Sequence, residues 1–270
     1  MIETPGPIIP ESDDKPHEEC GIVGAYVPGE SVARTAFFGL FALQHRGQES
    51  AGIATSQGDK IHLKAKMGLV SQVFREETLA VLPGHLGIGH TRYSTMGGSK
   101  EYNAQPLISK GQRRQIAVGH NGNVINAAAL RVEMAEEFGS TFEKTSDTEV
   151  ILEAFGRWGI EGTVKRLIGM FAIALWDRDE RRLWLIRDRL GIKPLYFGTV
   201  GDQFLFGSEL KALRAAEGWQ PEIDRDAVAA YLRFNYIPAP RSIYKNIFKL
   251  PPGSLLSITP GGDPDVRRYW

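Results

Sequence analysis

One cysteine occurs in the chain, Cys20, and it stands where the texture of the sequence changes. Residues 1–19 carry four prolines (Pro5, Pro7, Pro10, Pro16), six acids and one lysine, with no amphipathic period. From Cys20 onward the chain reads Cys-Gly-Ile-Val-Gly-Ala-Tyr-Val, a glycine-bearing strand. A lone cysteine is ordinarily a small buried hydrophobe. A cysteine exposed as a new amino terminus is different. Its own α-amino group, with a pKa near ~7.7–8.0, takes the thiol proton directly or through one water, so no histidine is needed as base. Joined through the Glu19–Cys20 amide, which has no such basicity, the same thiol is expected to be nearly inert. Other chemistry-bearing positions have equally ordinary alternatives. Asn121-Gly122 is by itself a hairpin-turn signal, Arg92 a solvated surface arginine, and Asp147 a carboxylate compensating a helix N-terminus. His62 and His85 read as surface or packing residues.

The elements that must position these residues are short strands, glycine turns and amphipathic helices. Residues 31–44 place Val32, Phe37, Leu40 and Phe41 on one helical face with Ser31 as N-cap. Strands are predicted over 51–55, 60–66 and 115–120. A helix follows over 126–138, capped by Asn126. Ser146-Asp147-Thr148-Glu149 fits a capping box opening a helix over 150–158. The apolar runs 170–176 and 183–186 flank a charged turn and form a hairpin, and 195–198 and 204–208 extend the sheet. Asp224 caps a helix running to Phe234, and 237–240 and 250–253 are extended. Strands arriving in hairpins, without strict strand–helix alternation, predict antiparallel sheets covered by helices.

Composition narrows the class. At 42% hydrophobic and 24% charged residues over 270 positions, the chain can bury a sizeable core. Thirty-two basic residues balance thirty-two acidic ones, which argues against nucleic-acid and anionic-membrane partners. No apolar run reaches the ~20 residues of a bilayer span. Residues 1–19 lack the basic opening and apolar run of a secretion signal. They read as a disordered or removable leader, and the expected location is the cytoplasm. One cysteine makes neither an internal disulfide nor a cysteine-rich metal site.

Four segments carry a resemblance together: Glu18-Glu19-Cys20-Gly21-Ile22-Val23-Gly24, Gln44-His45-Arg46-Gly47-Gln48-Glu49-Ser50-Ala51-Gly52, Gly89-His90-Thr91-Arg92-Tyr93-Ser94-Thr95 and Gly119-His120-Asn121-Gly122-Asn123. In that order and spacing they resemble the class II glutamine amidotransferases, members of the N-terminal nucleophile hydrolases. The resemblance implies an α+β fold, a four-layer αββα sandwich of two antiparallel sheets. The wording of these four is most similar to the amidophosphoribosyltransferases of purine synthesis, a family that commonly removes a short leader ahead of its cysteine. The second half resembles instead the glutaminase domain of asparagine synthetase. It does so in Ser146–Leu152, in Gly169–Asp177 and in Arg187-Asp188-Arg189-Leu190-Gly191-Ile192-Lys193-Pro194-Leu195-Tyr196. Gly207-Ser208-Glu209-Leu210-Lys211-Ala212-Leu213 and Leu250-Pro251-Pro252-Gly253 continue it.

The resemblance implies roles. Cys20 attacks the side-chain amide of L-glutamine, ammonia leaves, and water hydrolyses the glutamyl thioester, with no metal or cofactor in that step. Asn121 (side-chain N–H) and Gly122 (backbone N–H) form the oxyanion hole. Arg92 clamps the substrate carboxylate, where a guanidinium fork matches two oxygens, and Asp147 binds the ammonium. Arg46 and Gly47 shape the nucleophile's surroundings at the substrate, while His90, Tyr93 and Thr95 line the pocket. His45 and His120 sit inside motifs but are not used as the base.

The expected organisation is a leader over 1–19 and a glutaminase domain over 20–270, with 224–270 extending towards an acceptor domain. Neither a Ser-Gly-Gly-x-Asp-Ser loop for ATP nor an acidic run flanked by Thr-Thr for phosphoribosyl pyrophosphate is present. ATP/Mg or phosphoribosyl pyrophosphate/Mg would therefore belong to a synthetase or transferase domain or subunit as partner. Self-association into a homo-oligomer stays open. Three readings follow: an asparagine-synthetase-type glutaminase, favoured because that likeness continues to Trp270; a purine-type glutaminase; and an unprocessed, non-catalytic glutamine-binding module.

Overall fold

The computed structural model describes residues 20–93, 100–109 and 114–270. The chain runs through β1 (Gly21–Tyr26), α1 (Ala33–Ala42), β2 (Ser50–Gln57), β3 (Lys60–Met67), α2 (Val70–Val73), α3 (Glu76–Ala80) and β4 (Leu86–Arg92). It continues through β5 (Leu107–Ile108), β6 (Ile116–Val124), α4 (Ala127–Phe138), α5 (Asp147–Arg166), β7 (Gly169–Asp177) and β8 (Arg182–Arg187). The remainder is β9 (Tyr196–Val200), β10 (Gln203–Gly207), α6 (Leu210–Leu213), α7 (Arg225–Phe234), β11 (Ile247–Lys249), β12 (Ser254–Ile258) and β13 (Asp265–Arg268).

Among the described residues the strands form two antiparallel sheets, ordered β11-β9-β10-β1-β4-β2-β3 and β13-β12-β8-β7-β6-β5. Alternation along each strand divides the core into three layers. In β7, Ala172, Ala174 and Trp176 face the first sheet, where Ile22, Ile88 and Phe206 meet them. The intervening Phe171, Ile173 and Leu175 pack outward under α4 and α5 with Leu130, Ile151 and Phe155. On the far side, Val23 and Ala25 of β1 pack under α1 with Ala36 and Leu40. The result is the expected αββα sandwich. Residues 224–270 are woven into it, giving β11 to the first sheet and β12 and β13 to the second.

Several local expectations are corrected. Val32, not Ser31, precedes the first turn of α1, and no side chain caps it; Phe41 is exposed, not part of the inward face. Asn126 caps nothing within α4: its side chain donates to the Arg166 carbonyl at 2.9 Å and accepts from the Ile168 amide at 3.0 Å, tying α4 to the chain entering β7. Ser146 makes no capping bond. Glu149 turns away to accept from the Glu143 and Lys144 amides, both at 2.9 Å, so the capping box does not form. The helix over 150–158 continues to Arg166 across a break at Gly159 (φ 68°). Asp224 does cap α7, accepting from the Asp226 and Ala227 amides at 2.9 and 3.3 Å. No helix of the described residues is long and apolar enough to cross a membrane.

Candidate active site

Cys20 sits immediately before β1, at one end of the first sheet, and is buried. Its thiol lies against the backbone of Tyr93, just past the end of β4. The S–H donates to the Tyr93 carbonyl at 3.3 Å and the Tyr93 amide donates back to Sγ at 3.5 Å. The antiparallel pairing of β1 with β4, from Gly21↔Thr91 to Tyr26↔Leu86, fixes this juxtaposition. Burial pushes the thiol pKa up, and the Tyr93 amide and the Arg92 cation oppose the rise; Asp147 adds to it and Lys193 subtracts.

Arg92 ends β4 and is almost fully buried, so it is no solvated surface arginine. Its guanidinium reaches Glu49 at 3.8 Å, and the Glu49 amide donates to the Arg92 carbonyl at 3.1 Å. From the second sheet, β6 brings Asn121 and Gly122. Both lie inside the strand, paired with Ala172 and Phe171, so the hairpin-turn reading of Asn-Gly does not hold. Gly122 has φ +144°, and a Cβ there would lie 2.0 Å from the Met170 carbonyl oxygen, so only glycine fits. The Asn121 side-chain amide is buried, and neither its nitrogen nor its oxygen has a partner among the described residues. Buried amides are rarely left so, and Asn121 therefore holds a donor and an acceptor not used within the described fold.

Asp147 lies in the first turn of α5, where its charge complements the helix N-terminus, and it also reaches outside the helix. Oδ2 accepts from the Val124 amide at 2.9 Å, fastening the end of β6 to α5, and Oδ1 lies 3.8 Å from His120 Nδ1. Cys20, Arg92, Tyr93, Gly122 and Asp147 line one small concavity together with Gln105, His120, Ser146 and Thr148. A wider groove beside α5, lined from Leu107 to Arg157, contains none of these five.

Other expected site residues stand elsewhere. Arg46 is one layer behind the concavity: Nε donates to the Cys20 carbonyl at 3.0 Å. Gly47 packs on β4, where a Cβ would come within 2.7 Å of the Arg92 amide nitrogen, so this close crossing admits only glycine. His90 does not line the concavity. It is wholly buried and donates from Nε2 to the His120 carbonyl at 2.9 Å, joining β4 to β6 across the sandwich. Burial lowers its pKa to about 3. Thr95 and the leader over 1–19 lie outside the described residues. Sequence reasoning missed Lys193, which is buried and electrostatically felt by both Cys20 and His120. Its motif was visible, but nothing local to it pointed at the thiol. Among the described residues no cluster of three or more His, Cys, Asp and Glu is placed to hold a metal.

A family model described as "Glutamine amidotransferase domain" matches residues 76–270. The amidophosphoribosyltransferase of Synechococcus elongatus is 45% identical over 199 residues, covering 70% of this chain and 40% of its own length. That of Methanothermobacter thermautotrophicus is 42% identical over 207 residues, covering 72% and 43%. The solved glutamine phosphoribosylpyrophosphate amidotransferase of B. subtilis, complexed with ADP and GMP, superposes with a TM-score of 0.74 at 29% identity, over 93% of this chain and 49% of that one. A glutamine aminotransferase class-II domain protein from Silicibacter pomeroyi shares the fold alone, at 14% identity and a TM-score of 0.51. The chain spans about 40% of the length of the curated relatives it matches.

Proposed function

The chain belongs to the class II glutamine amidotransferase domain family, and on that footing we propose that it hydrolyses L-glutamine through a Cys20 thioester as the ammonia-supplying part of an amidophosphoribosyltransferase-type enzyme. The observation that carries the reading is the meeting, in one concavity, of the Cys20 thiol with a buried guanidinium from a strand of the first sheet and a buried carboxylate from α5. Free glutamine carries a carboxylate, an ammonium and an amide. Arg92 matches the first, Asp147 the second, and Cys20 the third.

The α-amine of a terminal Cys20 removes the thiol proton, and sulfur attacks the amide carbon. The C=O π electrons move to oxygen, which Asn121 Nδ2 and the Gly122 amide receive as an oxyanion. Collapse expels the nitrogen as ammonia once it has taken up, from the α-ammonium, the proton that came from the thiol. Water, deprotonated by the same amine, then cleaves the C–S bond, giving glutamate and the thiol. The acceptor expected first from the second half of the sequence, of asparagine-synthetase type, gives way to the purine type, because the similar proteins described above are named for it. Protein beginning at Cys20 is expected to release equimolar glutamate and ammonia from glutamine, and Cys20→Ser to lose at least ~10²-fold, a hydroxyl being far harder to ionise than a thiol. Comparable turnover by the serine variant overturns the reading.

A further inference from the structure

A nucleophile at a chain terminus is tethered by one peptide bond only, so its position depends on what grips its backbone. On the β10 side, β1 pairing ends at Val23↔Gly207. The next residue, Ser208, holds Ile22 from both directions. Its amide donates to the Ile22 carbonyl at 2.9 Å, and its hydroxyl accepts from the Ile22 amide at 3.0 Å. Glu209 follows in extended conformation ahead of α6, and its carboxylate points back at the turn after α1. Oε1 accepts from Arg46 Nη1 and faces His45 Nε2, both at 3.0 Å, and Oε2 lies 3.4 Å from Lys211 Nζ. Arg46, in turn, donates from Nε to the Cys20 carbonyl.

We propose that Ser208 and Glu209 are positioning residues for the nucleophile: Ser208 fixes Ile22, and Glu209 fixes Arg46 on the Cys20 carbonyl. The inference rests on the proposed glutaminase reading. Glu209 does not line the concavity. Its loss therefore leaves glutamine binding alone and lets the thiol drift from its attack position, where a displacement of about 1 Å costs on the order of 10²-fold. Nη1 of the guanidinium meets the carboxylate while Nε meets the carbonyl, so removing the carboxylate weakens the hold on the side chain that contacts the carbonyl.

The test is steady-state glutaminase kinetics on protein beginning at Cys20, with thermal unfolding and the rate of iodoacetamide alkylation measured in parallel. Glu209→Ala is expected to lower kcat by about 10- to 100-fold with KM within twofold of wild type, and to change the alkylation rate of folded protein. Glu209→Gln keeps an acceptor for Arg46 and is expected to recover part of that loss. An unchanged kcat per folded molecule in Glu209→Ala overturns the proposal, as does a rise in KM at unchanged kcat. If the alanine variant does not fold, Glu209→Gln decides: a several-fold kcat loss at constant KM supports the clamp, and wild-type kcat overturns it. A wild-type protein inert on glutamine refutes the glutaminase reading itself, a result distinct from active wild type with indifferent Glu209 variants.

Discussion

At the thiol two influences compete, and the outcome sets the chemistry. Burial disfavours the thiolate, while the Tyr93 amide and the Arg92 and Lys193 cations favour it; burial prevails. A thiol so held needs a base within reach, which is what a terminal amine supplies. Lys193 is the cation not assigned to the substrate, so its removal isolates the electrostatic contribution. Lys193→Met is expected to move the pH midpoint of Cys20 alkylation upward, and Lys193→Arg to hold it near wild type; coincident profiles would show that Lys193 only packs. Asp147 separates binding from architecture in a different way. Because Oδ2 accepts from the Val124 amide, Asp147→Asn can keep that bond through its carbonyl oxygen while losing the charge. Its kcat/KM on glutamine is expected to fall about 30-fold or more, the usual order for losing one partner of a buried charge pair. An analogue lacking the α-amino group should be affected far less, and equal losses on both substrates would mean that Asp147 serves β6 alone. Cys20, Arg92 and Asp147 were legible in the sequence because each lies in a motif with a distinct chemical demand. Lys193 and Glu209 also lie in recognisable segments, but their work depends on β-pairings between residues more than 150 positions apart, which no local pattern reports.

Between elements, the decisive contact is the one joining the two sheets beneath the site. His90 on β4 donates to the His120 carbonyl on β6, so the strand carrying Arg92 and the strand carrying Asn121 and Gly122 are held in register by a neutral imidazole. The folded-state pKa of about 3 lies below the ordinary 6.5. Above pH 6.5 both folded and unfolded forms leave this ring neutral, and stability does not depend on it. As pH falls from 6.5 towards 3 the unfolded chain takes up a proton that the folded protein refuses, and stability is lost. By pH 4.5 the loss reaches about 2 to 3 kcal/mol. Urea unfolding of wild type and His90→Gln across that range should show the shallower pH slope in the variant; parallel slopes would remove His90 as the cause. The antiparallel hairpins were readable from alternation and turn residues, and β7 and β8 emerged where expected. Of the caps, Asp224 was readable, but Asn126 and Glu149 were not, because their side chains bond to backbone outside their own helices in competition with capping.

Across the molecule, the walls of the site come from three layers: the start of β1 and the end of β4 in the first sheet, β6 in the second, and the first turn of α5. Both sheets contribute to the concavity, and residues 224–270 extend them at β11, β12 and β13. Among the described residues, neither histidine near the site is placed as a base for the thiol. His90 is committed to the His120 carbonyl, and burial depresses the pKa of His120 as well. His120 faces Thr148 and Asp147. On the proposed glutaminase reading the base is the α-amine of Cys20, which exists only after the bond to Glu19 is cut. Active protein is accordingly expected to begin at Cys20, and chain retaining residues 1–19 to bind glutamine without turning it over. Intact-mass measurement of active and inactive fractions separated from one preparation, each assayed for glutamate release, checks this. Full turnover by protein that still carries Met1–Glu19 would mean that the amine is dispensable, and would return the role of base to a side chain.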